Sequence, residues 1–334
     1  MKVIILLAGY GTRMRPHTWS RPKPLLKVAG NTVVGHLLDL MHEITTDEVI
    51  FVVGYRGEQI EEWIRQNYPK LKAQFVVQEE AKGQAHAVWL CRDYLINDSE
   101  VMVAFGDGVV EADYANIAHP EADAVFLVKE VEDPRRFGVA VLNGDGYIRE
   151  FIEKPPTMEH RLAIAGIYWF RSSGYLYESL DAIIKQKRKT LGEYFMADAF
   201  QLMLEQQAKL RTMAVEQWAD AGTPEAILNT NARLLSVGYA SQDALERSFS
   251  EGFTVVPPVF IHPSANIEAA VIGPFASIDA EVKITNAVVR NSIIDTGAEI
   301  DNCVLESALV GERAKVSGRG KALFVGDNSF VDLG

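Results

Sequence analysis

Residues 3–24 read Val3-Ile4-Ile5-Leu6-Leu7-Ala8, Gly9-Tyr10-Gly11-Thr12-Arg13-Met14-Arg15-Pro16 and His17-Thr18-Trp19-Ser20-Arg21-Pro22-Lys23-Pro24. The first group predicts a buried strand, the second a glycine turn and the third a cationic loop. From Met1 to Leu38 the chain carries the cations Lys2, Arg13, Arg15, Arg21, Lys23 and Lys27 and no carboxylate. The whole chain is acidic, with 45 Asp and Glu against 33 Lys and Arg and a net charge of −12. A Gly-rich, all-cationic segment in such a chain points to an anion: backbone N–H groups cradle phosphate oxygens and the cations neutralise what remains.

Outward from this loop, apolar strands at 2–8, 49–54, 73–78 and 101–105 alternate with helical patterns at 33–43, 58–68 and 84–95. In the second of these, Ile60, Trp63 and Ile64 recur at helical spacing. The alternation predicts an α/β fold with a mostly parallel, doubly wound sheet, which places ligands at the carboxyl ends of its strands. Strands then dominate (123–129, 137–143, 147–153, 164–170). Helices at 173–187 and 194–207, a strand at 210–216 and a helix at 224–236 follow.

Beyond residue 255 the period changes. Ile261, Ile278, Ile294 and Val310 recur at one long, nearly constant spacing, and Ile267, Ile284, Ile300 and Val316 repeat it. Ala265, Val282, Ala298 and Ala314 stand two positions before the second series. Three short faces per turn, each with an inward aliphatic, describe a triangular parallel β-helix; a small β-sandwich is the competing reading. The expected organisation is an α/β domain over 1–236, a helical linker over 237–254 and the β-helix over 255–334.

The net charge argues against nucleic-acid and anionic-membrane partners. The two cysteines, Cys91 and Cys303, make neither a disulfide framework nor a zinc cluster. The run Val3–Ala8 is too short for a membrane span or signal core, so a cytoplasmic location is expected.

The motifs together resemble the sugar-1-phosphate nucleotidyltransferases, most of all the long-form glucose-1-phosphate thymidylyltransferases, over nearly the whole chain. The resemblance implies a Rossmann-like nucleotidyltransferase domain followed by a left-handed β-helix, and an enzyme that joins a nucleoside triphosphate to a sugar 1-phosphate. The family signature Gly-x-Gly-Thr-Arg, Pro, Lys-Pro stands as Gly9–Arg13, Pro16 and Lys23-Pro24. It implies a nucleotide cradle of Ala8, Gly9, Gly11 and Thr12, with Arg13 and Lys23 on the triphosphate. Gln78, with Gly83 five positions on, matches the family's base site; an amide that both donates and accepts suits a thymine or uracil imide edge, so dTTP or UTP is expected. Asp107 in Phe105-Gly106-Asp107 and Asp220 in Asp220-Ala221-Gly222 match the Mg²⁺ ligands. Taken singly, each aspartate would serve equally as a turn or helix cap. On the sugar side the resemblance marks Gly138, Glu153, Lys154, Ile164 and Tyr168, with Lys154 on the sugar phosphate. Gly192-Glu193 and Asp198 match parts of a Gly-Glu-x-Glu-Ile-Thr-Asp stretch.

Four positions depart from the pattern: Gly108 replaces an Asn, Leu191 an Arg, Phe195 a Glu and Ala197 a Thr. Arg188 and Lys189 are the cations nearest to the lost Arg. His17 and His86 read as polar surface or capping groups. His262 is the histidine that an acyltransferase β-helix would use, although residues 255–334 allow only about four coils. The expected partners are a nucleoside triphosphate, a sugar 1-phosphate and further copies of the chain. A non-catalytic nucleotide-sugar-binding regulatory subunit and a bifunctional acyltransferase are the alternatives.

Overall fold

The computed structural model describes residues 1–318 apart from 45, 47, 97, 98 and 191, with 43, 250 and 251 described by their backbone alone. Contacts divide it into one unit of Met1–Leu26 with Asn31–Ile227, and a second of Lys27–Gly30 with the chain from Leu228 onward.

In chain order the strands are β1 (Lys2–Leu6), β2 (Lys27–Val28), β3 (Asn31–Thr32), β4 (Glu48–Val53), β5 (Ala73–Val77), β6 (Val101–Phe105), β7 (Gly108–Glu111), β8 (Ala124–Glu130), β9 (Gly138–Leu142), β10 (Ile148–Glu153), β11 (Leu162–Phe170), β12 (Leu210–Ala214) and β13 (Gln217–Asp220). The helices are α1 (Val33–Leu40), α2 (Gly57–Asn67), α3 (Gln84–Leu90), α4 (Arg92–Leu95), α5 (Ser173–Lys185), α6 (Met196–Glu205), α7 (Pro224–Leu234) and α8 (Ala244–Glu251). The first unit is built on a nine-stranded mixed sheet whose main path runs β10-β9-β11-β6-β1-β4-β5, with β8 joined to β11 and β12. β1 lies parallel between β4 and β6, at the centre of the parallel part.

β1 is buried on both faces, which is why its sequence is a continuous apolar run rather than an alternating one. Val3, Ile5 and Leu7 enter one core and Ile4 enters the other. The second of these cores centres on aromatics: Phe126 and Phe200 pack edge to face with centroids 4.7 Å apart, and Phe151 and Tyr168 join them.

The strand expected at 210–216 is β12; the sequence pattern marks no strand at 108–111 or 217–220, where β7 and β13 pair antiparallel in a separate two-stranded ribbon. That ribbon carries both aspartate motifs.

The second unit shows the predicted coils. Ile261 pairs in register with Ile278, Ile278 with Ile294 and Ile294 with Val310. Ile267, Ile284, Ile300 and Val316 form a second ladder, and Ile272, Val289 and Leu305 a third. Three parallel sheets, one per face, make the β-helix that the family resemblance implies. Its corners repeat with the same period. Ala269, Asn286 and Asn302 have φ of 47°, 49° and 51°, a left-handed conformation that Asn adopts more readily than most residues. Lys27–Gly30 pack as part of this unit. The Ala29 N–H donates to Asn231 Oδ1 (2.9 Å), as does Ser277 Oγ (2.6 Å), while Asn231 Nδ2 donates to the Phe275 carbonyl (3.0 Å).

Candidate active site

The glycine loop leaves the end of β1. Ala8 is half-buried and Gly9 is exposed, with no atom within 4 Å of where a Cβ would stand. Gly11 has φ of +61°, and a Cβ there would lie 3.0 Å from Lys23 Cβ and 3.1 Å from Thr18 Cγ2. Glycine at 11 therefore serves both the left-handed turn and the close passage of the Lys23 stem. Thr12–Met14 forms a single 3-10 turn anchored by buried Met14, which leaves Arg13 exposed. Thr18 Oγ1 ties the far side of the loop to the Gly11 carbonyl at 2.8 Å.

The two aspartates, distant in sequence, are brought together by the β7–β13 ribbon. Asp107 fills the tight link between β6 and β7, Asp220 pairs opposite Gly108, and the Ala221 N–H donates to the Asp107 carbonyl at 3.1 Å. Lys23 Nζ lies 3.3 Å from Asp107 Oδ2; the lysine side chain is buried and the carboxylate is 59% exposed. Asp220 Oδ1 accepts from the Gly222 N–H at 2.8 Å. A Cβ at Gly222 would sit 2.9 and 3.0 Å from the Asp220 oxygens and 3.2 Å from Arg13 Nη2, so Arg13 and Asp220 converge there. Arg13, Lys23, Asp107 and Asp220 thus form one cluster of alternating charge.

This donor set fits Mg²⁺. It offers hard oxygens from two carboxylates, and the described residues hold no group of three His, Cys, Asp or Glu that could enclose an ion. Mg²⁺ commonly takes one or two carboxylates and fills the rest of its octahedron with water and phosphate.

Gly108, where the resemblance leads one to expect Asn, has a backbone reason. A Cβ there would stand 2.8 Å from the Ala219 carbonyl across the ribbon. No side chain enters at 108 without moving β13 and the aspartate it carries.

On the base side, Gln78 follows β5 and is 9% exposed, its N–H held by the Val53 carbonyl at 2.8 Å. Gln78 Nε2 lies 3.1 Å from the Gly83 carbonyl and 3.2 Å from His86 Nδ1. Gly83 has φ of +104°, and a Cβ there would lie 2.4 Å from the Tyr194 carbonyl oxygen and 2.7 Å from its nitrogen. The side chain missing at 83 makes room for the Tyr194 backbone. His86, which reads on sequence as a polar surface or capping group, contacts Gln78. Its signal was its place just after Gly83, on the first turn of α3.

On the sugar side, Glu153 pairs with Gly138 across β10 and β9, and a Cβ at 138 would stand 2.9 Å from Glu153 Oε2. Glycine at 138 therefore gives the carboxylate its place. Ile164 reaches the same point, its Cδ1 3.7 Å from that position. Lys154 Nζ lies 3.9 Å from Glu153 Oε1 and 5.5 Å from the centre of the Phe195 ring. The aromatic that replaces Glu thus puts a π face under the lysine ammonium. Tyr168 is buried among Phe105, Phe126 and Phe200. Burial raises its hydroxyl pKa most, followed by Glu153 and Asp107.

Burial also holds the Glu153 carboxyl above its ordinary value of 4.5; Lys154 pulls it down and Asp198 pushes it up. A carboxyl raised in the folded state holds its proton more tightly than in the unfolded chain. Wild-type stability therefore falls as pH rises from 4.5 through the raised value. Glu153→Gln removes that loss. The variant should melt higher than wild type near neutral pH, with the gap shrinking to a constant as pH drops below 4.5. Melting temperatures across this range check it; a gap that does not change with pH contradicts it.

Glu153, Arg188, Thr190, Ala197 and Asp198 line a common cavity of about 650 Å³. Arg188 Nη2 reaches Glu205 at 3.8 Å, and Lys189 lies 4.9 Å from the Tyr194 ring centre, so each of the two cations nearest to the lost arginine has another partner. Leu191 itself lies outside the described residues. In the β-helix, His262 Nδ1 is 2.9 Å from Ser264 Oγ within one turn.

The sequence matches a known family. Residues 2–237 fit the model of the nucleotidyl transferases, and the chain belongs to that family. Among its relatives, the bifunctional protein GlmU of Methanocaldococcus jannaschii is 34% identical over 70% of this chain and 54% of its own length. The chain thus spans about half of that relative. The UTP–glucose-1-phosphate uridylyltransferase AglF of Haloferax volcanii is 31% identical over 67% of this chain and 93% of AglF. The glucose-1-phosphate thymidylyltransferase of Streptomyces griseus is 29% identical over 100% of this chain and 99% of its own. A solved Bacillus anthracis structure, described as a glucose-1-phosphate thymidylyltransferase in complex with sucrose, superposes with a TM-score of 0.61 at 27% identity, over 70% of this chain and 94% of that one.

Proposed function

We propose that the chain transfers a nucleotidyl group from dTTP or UTP to a hexose 1-phosphate of the glucose 1-phosphate type, releasing pyrophosphate. The observation that carries this reading is the convergence of Arg13, Lys23, Asp107 and Asp220 beside the glycine loop. A sugar phosphate has a second pKa of about 6 and is largely a dianion at neutral pH, so its oxygen attacks the α-phosphorus without a general base. Lys154 orients that phosphate, Glu153 accepts from sugar hydroxyls, and Arg13 and Lys23 neutralise the leaving pyrophosphate. Mg²⁺ held by Asp107 and Asp220 would supply charge neutralisation on the triphosphate. No helix among the described residues is long and apolar enough to cross a membrane.

The base preference rests on Gln78. A base that strands a buried hydrogen-bonding group loses about 1–3 kcal/mol, roughly ten- to a hundredfold in kcat/KM. With glucose 1-phosphate and Mg²⁺, dTTP or UTP should therefore exceed ATP and GTP by that margin in pyrophosphate release. ATP or GTP equal to or better than both would overturn the base assignment.

A further inference from the structure

The side of the Gln78 amide that holds nitrogen follows from its neighbours. The Gly83 carbonyl can only accept, so the amide nitrogen must face it, 3.1 Å away. The same nitrogen lies 3.2 Å from His86 Nδ1, which must then accept as well. His86 therefore carries its proton on Nε2 and is neutral; with both amide hydrogens engaged, Gln78 keeps only its acceptor, Oε1, for a ligand, not the donor–acceptor pair expected from the sequence. Such an acceptor is met by the ring N3–H of thymine or uracil. Cytosine offers a lone pair at that position.

We propose that His86 is a positioning residue for base selection, holding the Gln78 amide with its carbonyl oxygen toward the base so that imide bases are favoured over cytosine. This rests on the base-site reading given above. Three features support it. The ring is fixed by stacking on Trp89, with centroids 6.0 Å apart and planes at 27°. The Gly83 carbonyl is held in place by the Lys82–Tyr194–Ala85 backbone bonds. Burial, and then Lys82, hold the imidazole below its ordinary pKa of 6.5, with Glu80 opposing. Lys82 and Glu80, which pair with each other at 2.8 Å, are the charged groups acting on the ring. Asp181 of α5 accepts from the Trp89 indole N–H and pairs with Lys185, and Arg92 lies on the Trp89 ring.

Protonation at Nδ1 would set donor against donor. The amide then loses one of its two holds, or turns and offers its NH₂ outward, which suits cytosine. The selectivity should therefore weaken on acidification below 6.5, the ordinary histidine value. A ratio between two bases cancels the protonation of the sugar phosphate, which all the triphosphates share.

The test is the ratio of kcat/KM for UTP, or dTTP, to that for CTP, measured with glucose 1-phosphate and Mg²⁺ from about pH 8 to about pH 5.5 in wild type, His86→Leu and His86→Asn. Wild type should show the ratio falling roughly tenfold across the acid limb, the worth of about one hydrogen bond. His86→Leu should have the low ratio at every pH. His86→Asn, whose side-chain oxygen can accept from Gln78, should restore the neutral-pH ratio and hold it flat. If His86→Leu does not fold, the wild-type profile and His86→Asn still decide. A wild-type ratio independent of pH overturns the proposal, as does a His86→Leu variant that slows all three triphosphates equally. A wild type that prefers CTP or a purine at neutral pH overturns the base-site reading itself, which separates the two failures.

Discussion

Asp107→Asn and Asp220→Asn should each lower Mg²⁺-dependent turnover by roughly a hundredfold or more, with the fold kept. Each change preserves side-chain shape and removes half of the protein's charge on the metal. Asp220 lies on the β7–β13 ribbon and Asp107 directly precedes it, beside Arg13 and Lys23. Asp107→Asn has a second consequence, because Lys23 is buried and its ammonium then faces a neutral amide. The exposed aspartate limits what that contact contributes, so the melting temperature should move by only a few degrees. Turnover titrated with Mg²⁺, alongside thermal melting, checks both variants. Near-normal turnover in both would remove the metal assignment.

Gly83→Ala should be the most damaging single-atom change in the base site. Its φ of +104° is a conformation that L residues rarely adopt, and the new Cβ would stand 2.4 Å from a backbone oxygen rather than from a flexible side chain. Tyr194 cannot retreat, because its N–H donates to the Lys82 carbonyl (2.9 Å) and its carbonyl accepts from the Ala85 N–H (3.0 Å). A loss of roughly 3 kcal/mol or more is expected from strain and overpacking together. KM for the triphosphate should rise in the folded fraction, since the Gly83 carbonyl holds the Gln78 amide. Gly144→Ala is the control: nothing lies within 4 Å of its Cβ position, and its effect should stay within about 0.5 kcal/mol. Equal melting temperatures for the two variants would contradict the packing of 82–85 against Tyr194.

The central strands are legible because residues 3–6 and 49–53 are unbroken apolar runs, short enough for strands buried on both faces. The β-helix was legible for a different reason. Its contacts repeat at one nearly constant spacing, so each ladder is written as a local period. What stayed hidden depends on pairing distant in sequence. Gly108–Glu111 and Gln217–Asp220 are each too short for a periodicity, and nothing in either segment names the other. Asp107 and Asp220 were found through the family resemblance, and the ribbon explains afterwards why they meet. The placement of Lys27–Gly30 in the second unit was equally invisible, since it turns on the amide of Asn231, far along the chain. The contact of His86 with Gln78 is not legible either, because a lone histidine at a helix start carries no sign of which side-chain amide it faces. Gly108 and Gly138 reverse the usual lesson about glycine at a site: one is required by a carbonyl across the ribbon, the other by the Glu153 carboxylate.

The most direct test is product identification. The full chain is incubated with Mg²⁺, glucose 1-phosphate and either dTTP or UTP, and the phosphorus-containing products are identified by mass spectrometry and phosphorus NMR. A nucleoside diphosphate sugar and pyrophosphate should appear in equal amounts with at least one of the two triphosphates, and should be lost in Asp107→Asn. Tight binding of a nucleotide sugar without any such product, from these or from CTP, ATP and GTP, would contradict the account and identify the chain as a regulatory nucleotide-sugar-binding protein.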